Sequence, residues 1–325
     1  MKKGILAVIA VVVVVGLLGI GWWLIRDRDE GGTEDVQPVQ HSPKLTPEER
    51  AEAVRIAVEK NRHWWREASY VQIRQAAVDG DRVAQRRLSE VYDDCMAYRG
   101  PLSSNMKMLA RLRSADPNSK AAIRGIFDDF RRMCVQADAD LTKNPQAAIY
   151  WLHSSAKAGD LTAQMRYINR TSRRISEGRM RYFIEEIANT GDPDALFEMV
   201  SLLPQMRDTW SQPEQAMAFD NVIGSEAWML VACASGHDCG RGSRMMRLMC
   251  VALFACDQPD FESYYRVNRN KAIDPAKVNA TIAVIRGSLL QWASPSAANP
   301  AAPATTGAAP ADASAAPAKG AASGG

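Results

Sequence analysis

Read as a string of hydrophobic and polar positions, the chain opens on 22 uncharged, mostly apolar residues, Gly4 to Ile25. At about 1.5 Å per helical residue that run spans roughly 33 Å, enough to cross a hydrocarbon core of about 30 Å once. Lys2 and Lys3 precede it, while Arg26 and Arg28 on the far side are mixed with Asp27, Asp29 and Glu30. The basic excess therefore holds the N-terminus inside and sends everything after Ile25 out. Trp22 and Trp23 stand at the level of an interfacial aromatic belt. A cleaved signal needs small residues after a shorter apolar stretch, so Gly21-Trp22-Trp23-Leu24 favours an uncleaved anchor.

Beyond a polar linker, residues 26–46, the pattern turns helical. Thr46-Pro47-Glu48-Glu49 places a capping Thr, a first-position Pro and a third-position Glu together, a capping box. Polar-cap-then-Pro recurs at Asp116-Pro117, Asn144-Pro145, Asp192-Pro193 and Asp274-Pro275, with a related form at Ser211-Gln212-Pro213. Ala147, Ala148, Trp151, Leu152, Ser155 and Ala158 share one helical face. No alternating β-branched runs bounded by hairpin signals occur, so residues 47–292 read as all-α. From Ala293 to Gly325 the chain holds 15 Ala and 5 Pro in 33 residues, which predicts a disordered tail.

Within 47–292 a helix-turn-helix corner repeats at Gly80, Gly159, Gly191 and Gly236. Asp follows the first three, a small residue stands three before each (Ala77, Ala156, Ala188, Cys233), and Ile73, Leu152, Ile184 and Met229 stand seven before. Gly would end one helix in a left-handed cap, Asp would cap the next, and the small residues would let the helices close up. The stretch Asp140 to Ile168, with Lys143-Asn144-Pro145 leading into Ala148, Trp151, Leu152, Ala156, Gly159, Asp160, Ala163 and Tyr167, resembles the Sel-one-like repeats, relatives of the tetratricopeptide repeats. That resemblance implies a helix-turn-helix repeat body, α-solenoid-like, whose concave face binds proteins or peptides. Intervals of 79, 32 and 45 residues between the glycines make the array irregular.

Six cysteines, Cys95, Cys134, Cys233, Cys239, Cys250 and Cys256, all fall on the exported side, where an even number favours disulfides. If a helix runs from Gly242 to Ala255, Cys239 and Cys256 lie about 20 Å apart, and Cys250 sits some 12 Å from the corner. The pairing left is Cys233 with Cys239 and Cys250 with Cys256, with Cys95 and Cys134 for each other. Cysteine-rich members of the resembled family staple helix pairs in a comparable way. A zinc site is the alternative, but five-residue gaps fit zinc knuckles poorly.

Charge and chemistry narrow the function without naming it. The formal net charge is +3, the body carries 34 basic and 31 acidic residues, and nothing calls for nucleic acid. The histidines His41, His63, His153 and His237 form no catalytic pattern with Ser, Cys or acidic neighbours, and no phosphate-cradling glycine loop occurs. No enzyme activity, cofactor or metal is therefore expected. Arginine stands out, at 27 against 7 Lys in the body. Arg166, Arg170, Arg173 and Arg174 fall on one stripe, either as a solvated face or as forks for an acidic partner, and Trp64 with Trp65 offers a second candidate surface. The expectation is a single-pass bacterial inner-membrane protein, N-terminus cytoplasmic and body periplasmic, that binds an unidentified protein as a scaffold or adaptor. An immunity protein against a periplasmic toxin is the alternative within that class, and an envelope enzyme acting on an anionic substrate is the alternative outside it.

Overall fold

The computed structural model describes residues 42–98, 116–171, 175–206, 218, 222–269 and 273–293. The predicted membrane span, most of the linker, the Pro213 helix start and the tail beyond 293 lie outside those residues. Among the described residues, no helix is long and apolar enough to cross a membrane.

The described residues are all-helical, with a single isolated bridge between Gly240 and Asp260. In chain order the α-helices are α1 (Pro47–Arg62), α2 (Tyr70–Val78), α3 (Arg82–Tyr98), α4 (Pro117–Lys143), α5 (Ala147–Lys157) and α6 (Leu161–Arg170). Then come α7 (Glu177–Thr190), α8 (Pro193–Met206), α9 (Ile223–Ala234), α10 (Arg244–Leu253), α11 (Phe261–Tyr264) and α12 (Pro275–Ala293). Single π-helical turns, His63–Glu67 and Tyr265–Arg269, follow α1 and α11.

Local chemistry accounts for most helix starts. The Thr46–Glu49 capping box is formed, Asp116 accepts from the amides of Asn118 and Ser119, and Asp192 accepts from those of Asp194 and Ala195. Pro145 behaves differently. Asn144 closes α4 and its side chain accepts from Gln146 N, so Pro145 sits in the tight turn and α5 begins only at Ala147.

The four corner glycines all have positive φ, between 68° and 109°. At Gly191 and Gly236 the space matters as well as the backbone: a Cβ there would lie 2.7 Å from Cγ2 of Val54 and of Val58 respectively. Helix α1 therefore rests its valines directly on two corners. Four residues past the first three glycines, Ala84, Ala163 and Ala195 are fully buried, so α2–α3, α5–α6 and α7–α8 leave room for no more than a methyl there.

Neighbouring hairpins stack through α3 on α5, α6 on α8, and α8 on α9, while α12 packs across α7 and α9. One core, including Met165, Phe183, Met199 and Trp228, serves the C-terminal half; another, around Ile73, Leu88 and Tyr92, serves α2 to α5. The chain just ahead of α1 is pinned down: Ser42 N donates to Glu186, Leu45 N donates to Asn189, and Asn189 donates to Pro43 O.

All six cysteines are bridged: Cys95–Cys134 joins α3 to α4, and Cys233–Cys239 and Cys250–Cys256 tie the ends of α9 and α10 to the turns that follow. This is the pairing that spacing left open to the chain, and it occupies the sulfurs a zinc site would need.

Candidate functional site

The second helices of the hairpins carry polar stripes at four-residue spacing, Arg86, Glu90 and Asp94 on α3, Thr162, Arg166 and Arg170 on α6, Asp194 and Glu198 on α8. Stacking turns these stripes towards one another, and they interlock. Arg86, 2% exposed, pairs with Asp160 at 3.0 Å and with Asp194 at 2.9 Å. Arg166 bonds Glu90 and reaches Glu198 at 2.8 Å. Arg244, at the start of α10, forks onto Asp94 at 2.6 and 3.1 Å. His237 Nδ1 lies 2.6 Å from Asp194, and its ring stacks on Phe197 at 4.2 Å between centroids.

Burial sets the electrostatics. It works to raise the Glu90 carboxyl, but the guanidiniums of Arg166, Arg244 and Arg87 outweigh it and hold the group down to about 2. Asp194 is likewise held well below the usual carboxylate range, with Arg86 and His237 overruling burial. Its neighbour Asp192 loses the same contest: burial and the Asp194 charge push it up to about 6. Arg87 is pushed down by burial despite Glu90 and Asp94.

This ladder floors a cleft of about 940 Å³, within the size range of ligand sites. One wall is α10, which presents Met245, Leu248, Met249 and Leu253; Leu248 and Leu253 are 42% and 54% exposed. Trp65 and Arg66 from the first π-helical turn also line the cleft, and Arg66 is held by Asp238 through two 2.6 Å bonds. Phe261 and Tyr264, just ahead of the second such turn, line the cleft too. No family model, no curated protein and no solved structure matches this chain. The chemistry of the cleft therefore has to speak for itself.

The residues singled out in the sequence scatter around it. Trp65 lines the cleft and carries the Arg86 and Arg87 guanidiniums over its ring at 4.8 and 5.5 Å. Trp64 turns the other way and packs against the α2–α5 core. Arg166 reaches the cleft floor, with its fork held by Glu90 and Glu198, and Arg170 is paired with Asp93. Arg173 and Arg174 lie outside the described residues. Missed at the level of sequence were Glu90, Asp194, Glu198 and Arg244, together with the Met-Leu wall of α10. The four-residue spacing of Arg86, Glu90 and Asp94 was the available signal for the first of these.

Proposed function

We propose that the chain is a membrane-tethered, exported binding protein that holds a segment of a partner polypeptide in this cleft. The observation that carries the reading is an apolar wall left open beside a floor whose polar groups are engaged with one another. Methionines adapt to irregular apolar partners, and exposed leucines grouped at a concave site mark contact surfaces. The floor residues are arranged for support: Arg86, Arg166 and Arg244 hold carboxylates of the chain itself, which favours recognition over catalysis. Degenerate Sel-one-like hairpins, an N-terminal anchor over 4–25 and a periplasmic body complete the proposal. Three disulfides in the body suit an oxidising compartment.

A photoreactive amino acid at Leu248 or Leu253 in intact cells tests it. A defined crosslinked product is expected at both positions and not at Val71, which is 66% exposed on α2. Equal product from all three positions, or from Val71 alone, would overturn the assignment of the cleft.

A further inference from the structure

We infer that the segment held in the cleft is an amphipathic helix, and that it lays an uncharged apolar face along α10. The inference rests on the cleft being the binding surface and names the conformation and chemistry of what binds there.

The spacing of the wall is the first ground. Met245, Leu248, Met249, Ala252 and Leu253 follow one another at helical steps, so they form one continuous stripe along α10, and all five line the cleft. Ala252 is exposed, as are Leu248 and Leu253, whereas Met246 and Cys250 on the other face are buried. A helix that is apolar on both faces is one that is covered on both.

Register with the other hairpins is the second ground. Counted from the first helical residue, positions two, six and ten are Thr162, Arg166 and Arg170 on α6, and positions two and six are Asp194 and Glu198 on α8. Positions five and nine are Arg86 and Glu90 on α3. The charged members of these stripes are met by neighbouring hairpins. On α10 positions two, six and ten are Met245, Met249 and Leu253, and positions five and nine are Leu248 and Ala252. The hairpin at Gly236 thus keeps the packing register of the others and replaces charge with apolar side chains. Ridges and grooves in that register are shaped for another helix, and the 10 residues of α10 offer about 15 Å of contact, roughly three turns of a partner.

Electrical balance is the third ground. Five guanidiniums and one imidazole line the cleft together with six carboxyl groups, and they are taken up within the chain. Arg66 holds Asp238, Arg86 and His237 hold Asp194, Arg166 holds Glu90, and Arg244 holds Asp94. Arg62 and Glu262 pair with Glu67 and Arg266, Asp260 caps α11, and Glu226 is engaged as well. An incoming charge of either sign would find no free counter-ion, and a charge buried without one is costly. The face that enters is therefore neutral.

The test uses the full-length chain in nanodiscs and fluorescent amphipathic peptides of about four helical turns, read by anisotropy against empty nanodiscs. Their apolar stripe carries a central norleucine, lysine or glutamate, and a fourth peptide has the norleucine stripe broken by two prolines. The intact norleucine peptide is expected to bind about tenfold more tightly than each of the other three. Leu248→Asp is expected to weaken it about tenfold and to reverse the order of norleucine and lysine, while Val71→Asp, on α2 and outside the cleft, leaves binding within about twofold. Helicity at 222 nm confirms that each variant is folded. Equal binding of the intact and proline-broken peptides, both weakened by Leu248→Asp, overturns the helix and leaves the cleft reading standing. Tighter binding of the lysine or glutamate peptide to the native chain overturns the neutral face in the same way. Binding indifferent to Leu248→Asp, or no binding of any peptide, overturns both. Uptake of a fluorescent fatty acid, lost in Leu248→Asp and displaced by no peptide, would assign the wall to acyl chains and overturn the polypeptide.

Discussion

Replacing Arg86 by methionine keeps the length and apolar stem of the side chain and removes only the guanidinium. In the native protein that group is 2% exposed, pairs with Asp160 at 3.0 Å and Asp194 at 2.9 Å, and sits 4.8 Å over the Trp65 ring. Removing one partner of a buried ion pair costs about 3–5 kcal/mol, because the other charge is left uncompensated. For a body of this size each kcal/mol moves Tm by about 2–4 °C, so Arg86→Met is expected to lower Tm by about 6–20 °C. The loss should also depend on pH. Without Arg86, burial and the Asp192 charge act on Asp194 with only His237 to oppose them, and its carboxyl rises. A raised carboxyl penalises the ionised form, so the variant's deficit is greatest at neutral pH and shrinks as pH falls and the group takes up a proton. Thermal melts followed at 222 nm at pH 7.5 and pH 5 measure both effects. Adding Asp194→Asn to Arg86→Met should recover part of the loss by removing the stranded charge. A drop below about 3 °C, or one of equal size at both pH values, would refute the reasoning that the ladder is a buried, interdependent network.

Other outcomes follow from the same geometry. Gly191→Ala combines a φ of 68° with a Cβ 2.7 Å from Val54, and is expected to cost about 1–3 kcal/mol, partly recovered when Val54→Ala is added; recovery absent in denaturant melts would mean that backbone strain alone is at work. Removing the Cys95–Cys134 bridge, which closes a 39-residue separation, should cost about 4 kcal/mol, against about 2 for Cys250–Cys256 with its separation of 6; an inverted order in urea melts of the serine variants would contradict the chain-entropy account. From Glu90, Asp192 and Asp194 together, the native protein should be most stable at about pH 4.5. Glu90, lowered from 4.5 to about 2, and Asp194, also lowered, contribute stability that is present above the ordinary carboxyl range and lost as pH falls below it. Asp192, raised from 3.8 to about 6, contributes stability that is present below 3.8 and lost as pH rises through 6. Asp192→Asn should therefore flatten the decline between about pH 4 and pH 6, and a Tm curve unchanged by that variant would remove Asp192 from the account.

Two kinds of information in the chain met different fates. Features that act within one or two helical turns were legible: the Thr46 capping box, the Asp116 and Asp192 caps, the left-handed glycines at four corners, and the short-range bridges Cys233–Cys239 and Cys250–Cys256. Each depends on backbone geometry that a few neighbouring residues determine. The Pro145 start was displaced because Asn144 was already closing α4, a competition between two adjacent helices that neither motif shows alone. The cleft was not legible for a different reason. Helical spacing places Arg166 and Arg170 on a stripe but says nothing about which stripe of which helix faces it, and that depends on how hairpins 32 to 79 residues apart in sequence come to stack.

A sharper reading of the stripes was nonetheless available from their signs. Along α3, the charge reverses between Arg86 and Glu90 and stays acidic at Asp94, while Leu88 and Val91, on either side of Glu90, are fully buried in the structure. A solvated face gains little from such reversal, since exposed pairs at that spacing contribute only a few tenths of a kcal/mol. On a helix surrounded by apolar positions, the reversal is better explained by facing helices that bring the opposite charge to each position. α8 supplies Asp194 against Arg86, and α6 supplies Arg166 against Glu90. It follows that an arginine-rich helical chain need not present its arginines to anything outside itself. Where the stripes of neighbouring hairpins carry opposite charges at facing positions, the guanidiniums are taken up between helices.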